Sequence, residues 1–241
     1  MNENIKETIK AFKVDLDSSK NQIMLKPIAR SFNNQAHQIN EAAEKIHELI
    51  KNAPYSNDNI VLKRNEIKEA FFSPFKPQLK NAQVFLSHSH ADKNEALKVK
   101  GYLEEDLDAE CVFIDSLFWD YKDDVLNKLA EYAEYDDNDI SVIEDAFTLI
   151  LRESLQDMIE KCPYFVFLQS KNSVSLNQGL SRITYSAWIY EELRIAHSIS
   201  AISESRPIPM MESFQVSHDI SPFLEHLETI TLKKLSQQIN S

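Results

Sequence analysis

Between Leu25 and Ile50 apolar residues return every three or four positions, at Leu25, Ile28, Phe32, Ala36, Ile39, Ala43, Ile46 and Ile50. That spacing draws one stripe along a helix, and Pro27 suits its first turn. Asn52-Ala53-Pro54 ends it, and a shorter helix over roughly 59–72 precedes Pro74 and Pro77. Residues 1–80 therefore read as an N-terminal helical segment. A stripe of this length normally packs within its own chain, and self-association through it is the sharper alternative.

From Ala82 onward the rhythm changes to short apolar runs separated by amphipathic stretches. Gln83–Ser87 reads as a buried strand, followed by a helix with Ala96, Val99, Leu103 and Leu107 on one face. Cys111–Ile114 is a second strand. Phe147, Ile150, Ser154 and Met158 mark a helix over about 141–161 that leads into the strand Tyr164–Leu168. A further helix spans about Thr184 to Ser200, Pro207–Met211 suits an edge strand, and a last helix runs near Thr231 to Ile239. The acidic stretch Glu131–Asp139 reads as a solvated loop. Strand–helix alternation with short connections predicts an α/β domain over residues 81–241, its parallel sheet covered on both faces. Ligands in such sheets lie beyond the carboxyl ends of the strands.

Composition narrows the function classes. A hydrophobic fraction of 43% supplies a real core. The net charge of −12 leaves no basic face for nucleic acid. No apolar run has the length to cross a bilayer, and the polar stretch Met1–Lys20 is unlike a signal peptide, so a cytoplasmic protein away from membranes is expected. Only two glycines, Gly101 and Gly179, are present, which excludes both the GxGxxG fingerprint and the P-loop. Cys111 and Cys162 adjoin apolar runs and read as buried thiols; with no His/Cys cluster at ligand spacing, no metal is expected.

Three segments carry candidate chemistry. Ser87-His88-Ser89-His90-Ala91-Asp92 closes the first strand of the domain. Ser89 and Asp92 have capping-box spacing, while Ser87 and His88 lie where the chain leaves the sheet and can face a ligand. Phe113–Asp120 (FIDSLFWD) places Trp119 in a loop after a strand, either folded back on the core or stacked as a lid over a nucleobase or nicotinamide. The third segment is Ser186–Leu193 (SAWIYEEL). At about 100° per residue from Trp188, the apolar residues Tyr185, Ile189, Leu193, Ile195, Ala196 and Ile199 occupy an arc from about −20° to 140°. Glu192 falls inside that arc at about 40°, while Glu191 and Arg194 fall outside it. Burying a carboxylate costs several kcal/mol unless it is hydrogen-bonded, so Glu192 serves either a structural network or catalysis.

In this order, VFLSHSHADK, VFIDSLFW, CPYFVFLQSKNSVS and SAWIYEEL resemble the TIR (Toll/interleukin-1 receptor) domain family, particularly its bacterial TIR-like members. The likeness covers roughly residues 82–240. Trp188 and Glu192 match the family's W-x-x-x-E signature, and Ser170, Asn172 and Ser173 stand at the exit of the intervening strand. The resemblance implies a flavodoxin-like parallel sheet with flanking helices, preceded by the helical segment 1–80. In enzymatic members that glutamate cleaves NAD, releasing nicotinamide and ADP-ribose or a cyclic ADP-ribose isomer, often in antiphage defence. Carried over, Glu192 is the catalytic carboxylate. Ser87, His88, Asp115, Trp119 and Trp188 line the NAD cleft, with Trp188 also positioning the helix. The implied partners are NAD as substrate, further TIR surfaces or copies of the chain, and a downstream effector that senses the product. A non-catalytic TIR scaffold is the rival reading, and a related nucleotide-binding or base-exchange enzyme the third. Residues 1–80 and the acidic insertion match nothing in the family core.

Overall fold

Phe12, Val14 and Leu16 are buried and alternate with Lys13, Asp15 and Asp17, which makes Lys10–Asp15 a strand, β1. The computed structural model describes residues 9–25, 35–53, 55–56, 59–60, 63–72, 80–107, 111–114, 116–132, 137–176, 181–200 and 217–240. After β1 come Val84–Ser87 (β2), Val112–Ile114 (β3) and Tyr164–Gln169 (β4), apolar along nearly their whole length because helices cover a parallel sheet on its faces. Ser175–Leu176 (β5), Arg182–Thr184 (β6) and His218–Asp219 (β7) form a separate antiparallel sheet. Glu228–Thr229 (β8) returns to the first sheet.

The central sheet has the order β8-β1-β4-β2-β3, and every pairing in it is parallel. The longer helices are Gln35–Lys51 (α1), Arg64–Phe72 (α2), Lys93–Leu107 (α3), Ser116–Ala130 (α4), Asp137–Lys161 (α5), Ala187–Ser200 (α6), Ser221–His226 (α7) and Leu232–Ile239 (α8). The fold is thus α/β, a five-stranded all-parallel sheet flanked by helices in the flavodoxin-like manner. Phe113, Phe85 and Phe165 occupy one row across β3, β2 and β4, with centroids 5.8 and 5.9 Å apart. Cross-strand aromatic pairs of this kind fix register as well as burying area.

The edge strand β3 is anchored from α3. Glu104 Oε1 accepts from the backbone N–H groups of Cys111 and Val112, both at 3.1 Å. Lys100 Nζ donates to the Val112 carbonyl at 2.7 Å and to Glu104 at 2.5 Å. Backbone groups at the start of this buried edge strand are thereby satisfied by side chains of α3.

The chain folds as two compact units: Met1–Ile28, Asn81–Ser116 and Gln156–Ser241 make one, Ala29–Lys80 and Leu117–Leu155 the other. The first carries the sheet. In the second, Ile46 of α1, Phe71 of α2, Leu129 of α4 and Leu151 of α5 are buried, and Phe71 meets Phe147 edge-on at 5.2 Å. Within the segment 1–80, α1 and α2 are the expected helices, and a strand precedes them. Lys10–Asp15 supplies β1, between β4 and β8, because a half-buried alternation of five or six residues needs strand pairing to satisfy its backbone. Tyr55–Ser56 and Asn59–Ile60 form a short antiparallel pair, so the second helix starts at Arg64 rather than near residue 59.

Other boundaries shift less. The predicted stripe is a helix from Gln35, with Ala42, Ala43, Ile46 and Ile50 buried; residues 26–34 lie outside the described residues. The acidic loop gives way to helix at Asp137. The strand expected at 207–211 lies outside the described residues. Among the described residues no helix is long and apolar enough to cross a membrane.

β1 makes Val14 a test of the sheet. Val14 is fully buried and pairs with Leu168. Val14→Asp places an unmatched charge there and should cost several kcal/mol, leaving little folded protein by circular dichroism. An N-terminal segment independent of the sheet would leave the spectrum unchanged.

Candidate active site

The path of the chain through the sheet creates a crevice. From β2 the chain moves outward through α3 to β3; from the adjacent β4 it moves the other way, by α6 and α7, to β8. At such a reversal the loops after two neighbouring strands diverge and leave a cleft beyond their carboxyl ends. The residues there are Ser87, the last of β2, His88 directly after it, and Ser170 to Ser173 after β4.

Glu192 comes to this point from α6. Its exposure is 0%, and Ser87 Oγ–H, also 0% exposed, donates to Oε2 at 2.5 Å. The helix buries Ile189, Leu193, Ile195 and Ala196 alongside it, the face drawn by the helical wheel. Ser186 starts the helix, its Oγ accepting from the Ile189 N–H at 3.3 Å. Tyr190 stacks on His218 at 4.8 Å, and His197 packs on Phe223 and His226, so rings hold α6 along a further edge. Burial, and after it the neighbouring His226, holds the His197 imidazole below its ordinary pKa.

Glu191 departs from the wheel. It is 7% exposed although its position lies outside the apolar arc. Arg194 explains this, donating from Nε and Nη2 to its two oxygens at 2.9 and 2.7 Å. A bidentate pair satisfies the carboxylate, so it tolerates burial.

Asp92 also differs from expectation. Ser89 makes no side-chain cap, and the chain turns through a short 3-10 helix, His90–Asp92. The Asp92 carboxylate reaches instead to the loop after β4, accepting from Ser170 Oγ at 2.5 Å and from Asn172 Nδ2 at 2.6 Å. The capping-box spacing is present but unused, because both oxygens are occupied across the crevice.

Of the residues expected to line a cleft, the structure brings Ser87 to Glu192 and places His88, 3% exposed, directly after it. Trp188 is half-buried, one turn before Glu192 on α6. Asp115 lies outside the described residues. Trp119 stands in the first turn of α4 rather than in a loop, on a stretch belonging to the second unit, and its side chain lies outside the described residues. The sequence reading missed the link from Asp92 to Ser170 and Asn172; its signal was short polar residues after two strands that prove to be neighbours.

Among the described residues no group of three His, Cys, Asp or Glu side chains is placed to hold a metal ion. A groove of about 990 Å³ lies between α1 and α2, lined by residues of the second unit such as Glu48, Leu49 and Ile67. In comparisons with family models, curated proteins and solved structures, none matches this chain.

Three outcomes follow from Ser87 and from the two buried cysteines. Ser87→Ala removes a buried donor to Glu192 and should lower stability by about 1–3 kcal/mol in urea unfolding. A Ser87 that merely lined a cleft would give no such loss. Burial pushes the thiols of Cys111 and Cys162 up to about 11 and about 12. Both stay protonated in the folded chain while unfolded thiols ionise near 9, so stability should fall as pH rises from about 9 towards 11. Ellman's reagent at pH 8 should find two thiols in guanidinium and close to none in native protein.

Proposed function

We propose that the chain is a TIR-like enzyme that cleaves the nicotinamide–ribose bond of NAD, with Glu192 as its catalytic carboxylate. One observation carries this reading: a fully buried glutamate, held by Ser87, stands at the strand-end crevice where open α/β sheets bind ligands. The likeness of SAWIYEEL to the W-x-x-x-E signature supports the same residue.

The chemistry asks little beyond a carboxylate. Nicotinamide in NAD is already cationic, so its departure with the C1′–N electron pair needs no proton donor. What develops is positive charge on the ribose, which Glu192 would stabilise as an ion pair or trap at C1′. Water then adds at C1′, losing a proton and giving ADP-ribose; addition of a nucleophile from the same nucleotide gives a cyclic isomer instead. Ser87, by holding one carboxylate oxygen, would aim the other. The kinship suggests antiphage defence in the cytoplasm, through a nucleotide product read by a downstream effector, with self-association or TIR–TIR contacts completing the cleft.

The second reading is a non-catalytic TIR scaffold. It is favoured by the complete burial of both Ser87 and Glu192, which equally suits a carboxylate whose sole task is to tie α6 to the sheet.

Incubating the purified full chain with NAD, at high and low protein concentration, and identifying products by mass spectrometry separates the two. The enzyme releases nicotinamide, and Glu192→Gln, checked for folding by urea titration, should slow it at least about 100-fold. Undiminished release by the variant removes Glu192 from the mechanism. Absence of turnover by concentrated wild-type protein moves the assignment to the scaffold.

A further inference from the structure

We propose that Asp92 is a positioning residue for Glu192: it latches together the two loops that border the crevice and so fixes Ser87, which holds the carboxylate. The role in catalysis rests on the NAD-cleaving reading above; the latch itself rests on geometry.

Each oxygen of Asp92 is taken by a different residue of the opposite loop, Oδ2 by Ser170 Oγ–H and Oδ1 by Asn172 Nδ2. Asp92 and Ser170 are 5% and 7% exposed, so the bond between them is made largely out of water, where a lost partner is costly, while the bond from the exposed Asn172 is only partly buried. Ser170 is also the organiser of its own turn. Its Oγ accepts from the N–H groups of Asn172 at 2.9 Å and Ser173 at 3.2 Å, and its N–H donates to Ser173 Oγ at 2.8 Å. Ser173, 1% exposed, donates from Oγ toward the Ser170 and Leu168 carbonyls at 3.2 and 3.3 Å. The turn after β4 is therefore a self-bonded unit, and Asp92 fastens it to the loop after β2.

That loop is short. Between Ser87, in register with Phe167, and Asp92 lie only His88, Ser89 and the start of the 3-10 turn. β2 fixes one end of this stretch and the latch fixes the other, which leaves little freedom for the Ser87 hydroxyl. Because Ser87 Oγ meets Glu192 Oε2 at 2.5 Å, a small displacement of the loop re-aims the carboxylate. Displacements of the order of 1 Å in a catalytic group can cost up to about 100-fold in rate.

The test uses the full chain and three variants: Asp92→Asn, Asn172→Asp, and both together. The singles replace a matched amide–carboxylate pair with two amides or two carboxylates, while the double restores the match with its direction reversed. For nicotinamide release, each single should lower kcat about tenfold with KM changed less than twofold, and the double should recover most of the loss. A residue that served only stability would lower apparent kcat through the folded fraction alone, so rates are normalised to folded protein by urea titration, and wild-type kcat per folded molecule in the single variants overturns the positioning role. Hydrogen exchange of the amides in 170–174 supplies the second measurement: faster in each single variant, restored in the double. Wild-type protein that cleaves no NAD, while those amides still loosen and recover, overturns the functional reading and confines Asp92 to holding the loops. Unchanged exchange in Asp92→Asn overturns the latch.

Discussion

A carboxylate withdrawn from water must be matched by hydrogen bonds, and the hydrogen bond from Ser87 Oγ to Glu192 Oε2 is the point to which the rest of this molecule is adjusted. It joins the last residue of a central strand to the buried face of a helix that follows a different strand. For it to form, α6 must lie at a set height and rotation. Ile189, Leu193, Ile195 and Ala196 set the rotation by burial, and the rings of Tyr190 and His197 against β7 and α7 limit the remaining freedom. On the other side, the Phe113-Phe85-Phe165 row holds β2 in register, so Ser87 emerges at a defined level.

Much of this was legible in the sequence. The wheel around Trp188 placed Glu192 on an apolar face, and the structure buries it with Ile189 and Leu193. The continuous runs Val84–Ser87 and Tyr164–Gln169 signalled covered parallel strands. β1 was written just as plainly in the alternation of Phe12, Val14 and Leu16, but its partners lie far along the chain, and local periodicity does not announce which strands will be neighbours. The same limit hid the Asp92 network. Ser89 and Asp92 carry a local signature for a helix cap, and a tertiary interaction with better geometry displaced it. Glu191 escaped for a related reason: a wheel assigns positions to faces, yet a bidentate arginine three residues away lets a charged side chain cross from one to the other.

The two glutamates of SAWIYEEL illustrate how neighbouring residues of one type acquire different work. Glu191 is neutralised by a cation that belongs to its own helix, so its charge is spent within α6. Three and four positions to either side of Glu192 stand Trp188, Ile189, Ile195 and Ala196, and the sheet brings it a neutral hydroxyl from Ser87. A hydroxyl orients a carboxylate without bringing a counter-charge, whereas the arginine of Glu191 brings one.

β1 has one further consequence, for the order in which the molecule can assemble. Its neighbours in the sheet are β4 and β8, so its pairing waits for chain about 150 residues or more downstream. As the polypeptide leaves the ribosome, at roughly 5–20 residues per second, β1 idles for many seconds before β4 follows it. Helices α1 and α2 emerge in that interval and can pair locally, whereas β1 waits for β4, the strand at the centre of the sheet. A nascent chain of this design carries a half-buried strand, KAFKVDL, with no sheet partner until Tyr164–Gln169 has been made. Its charged residues, Lys10, Lys13 and Asp15, then act as solubilising escorts during the wait.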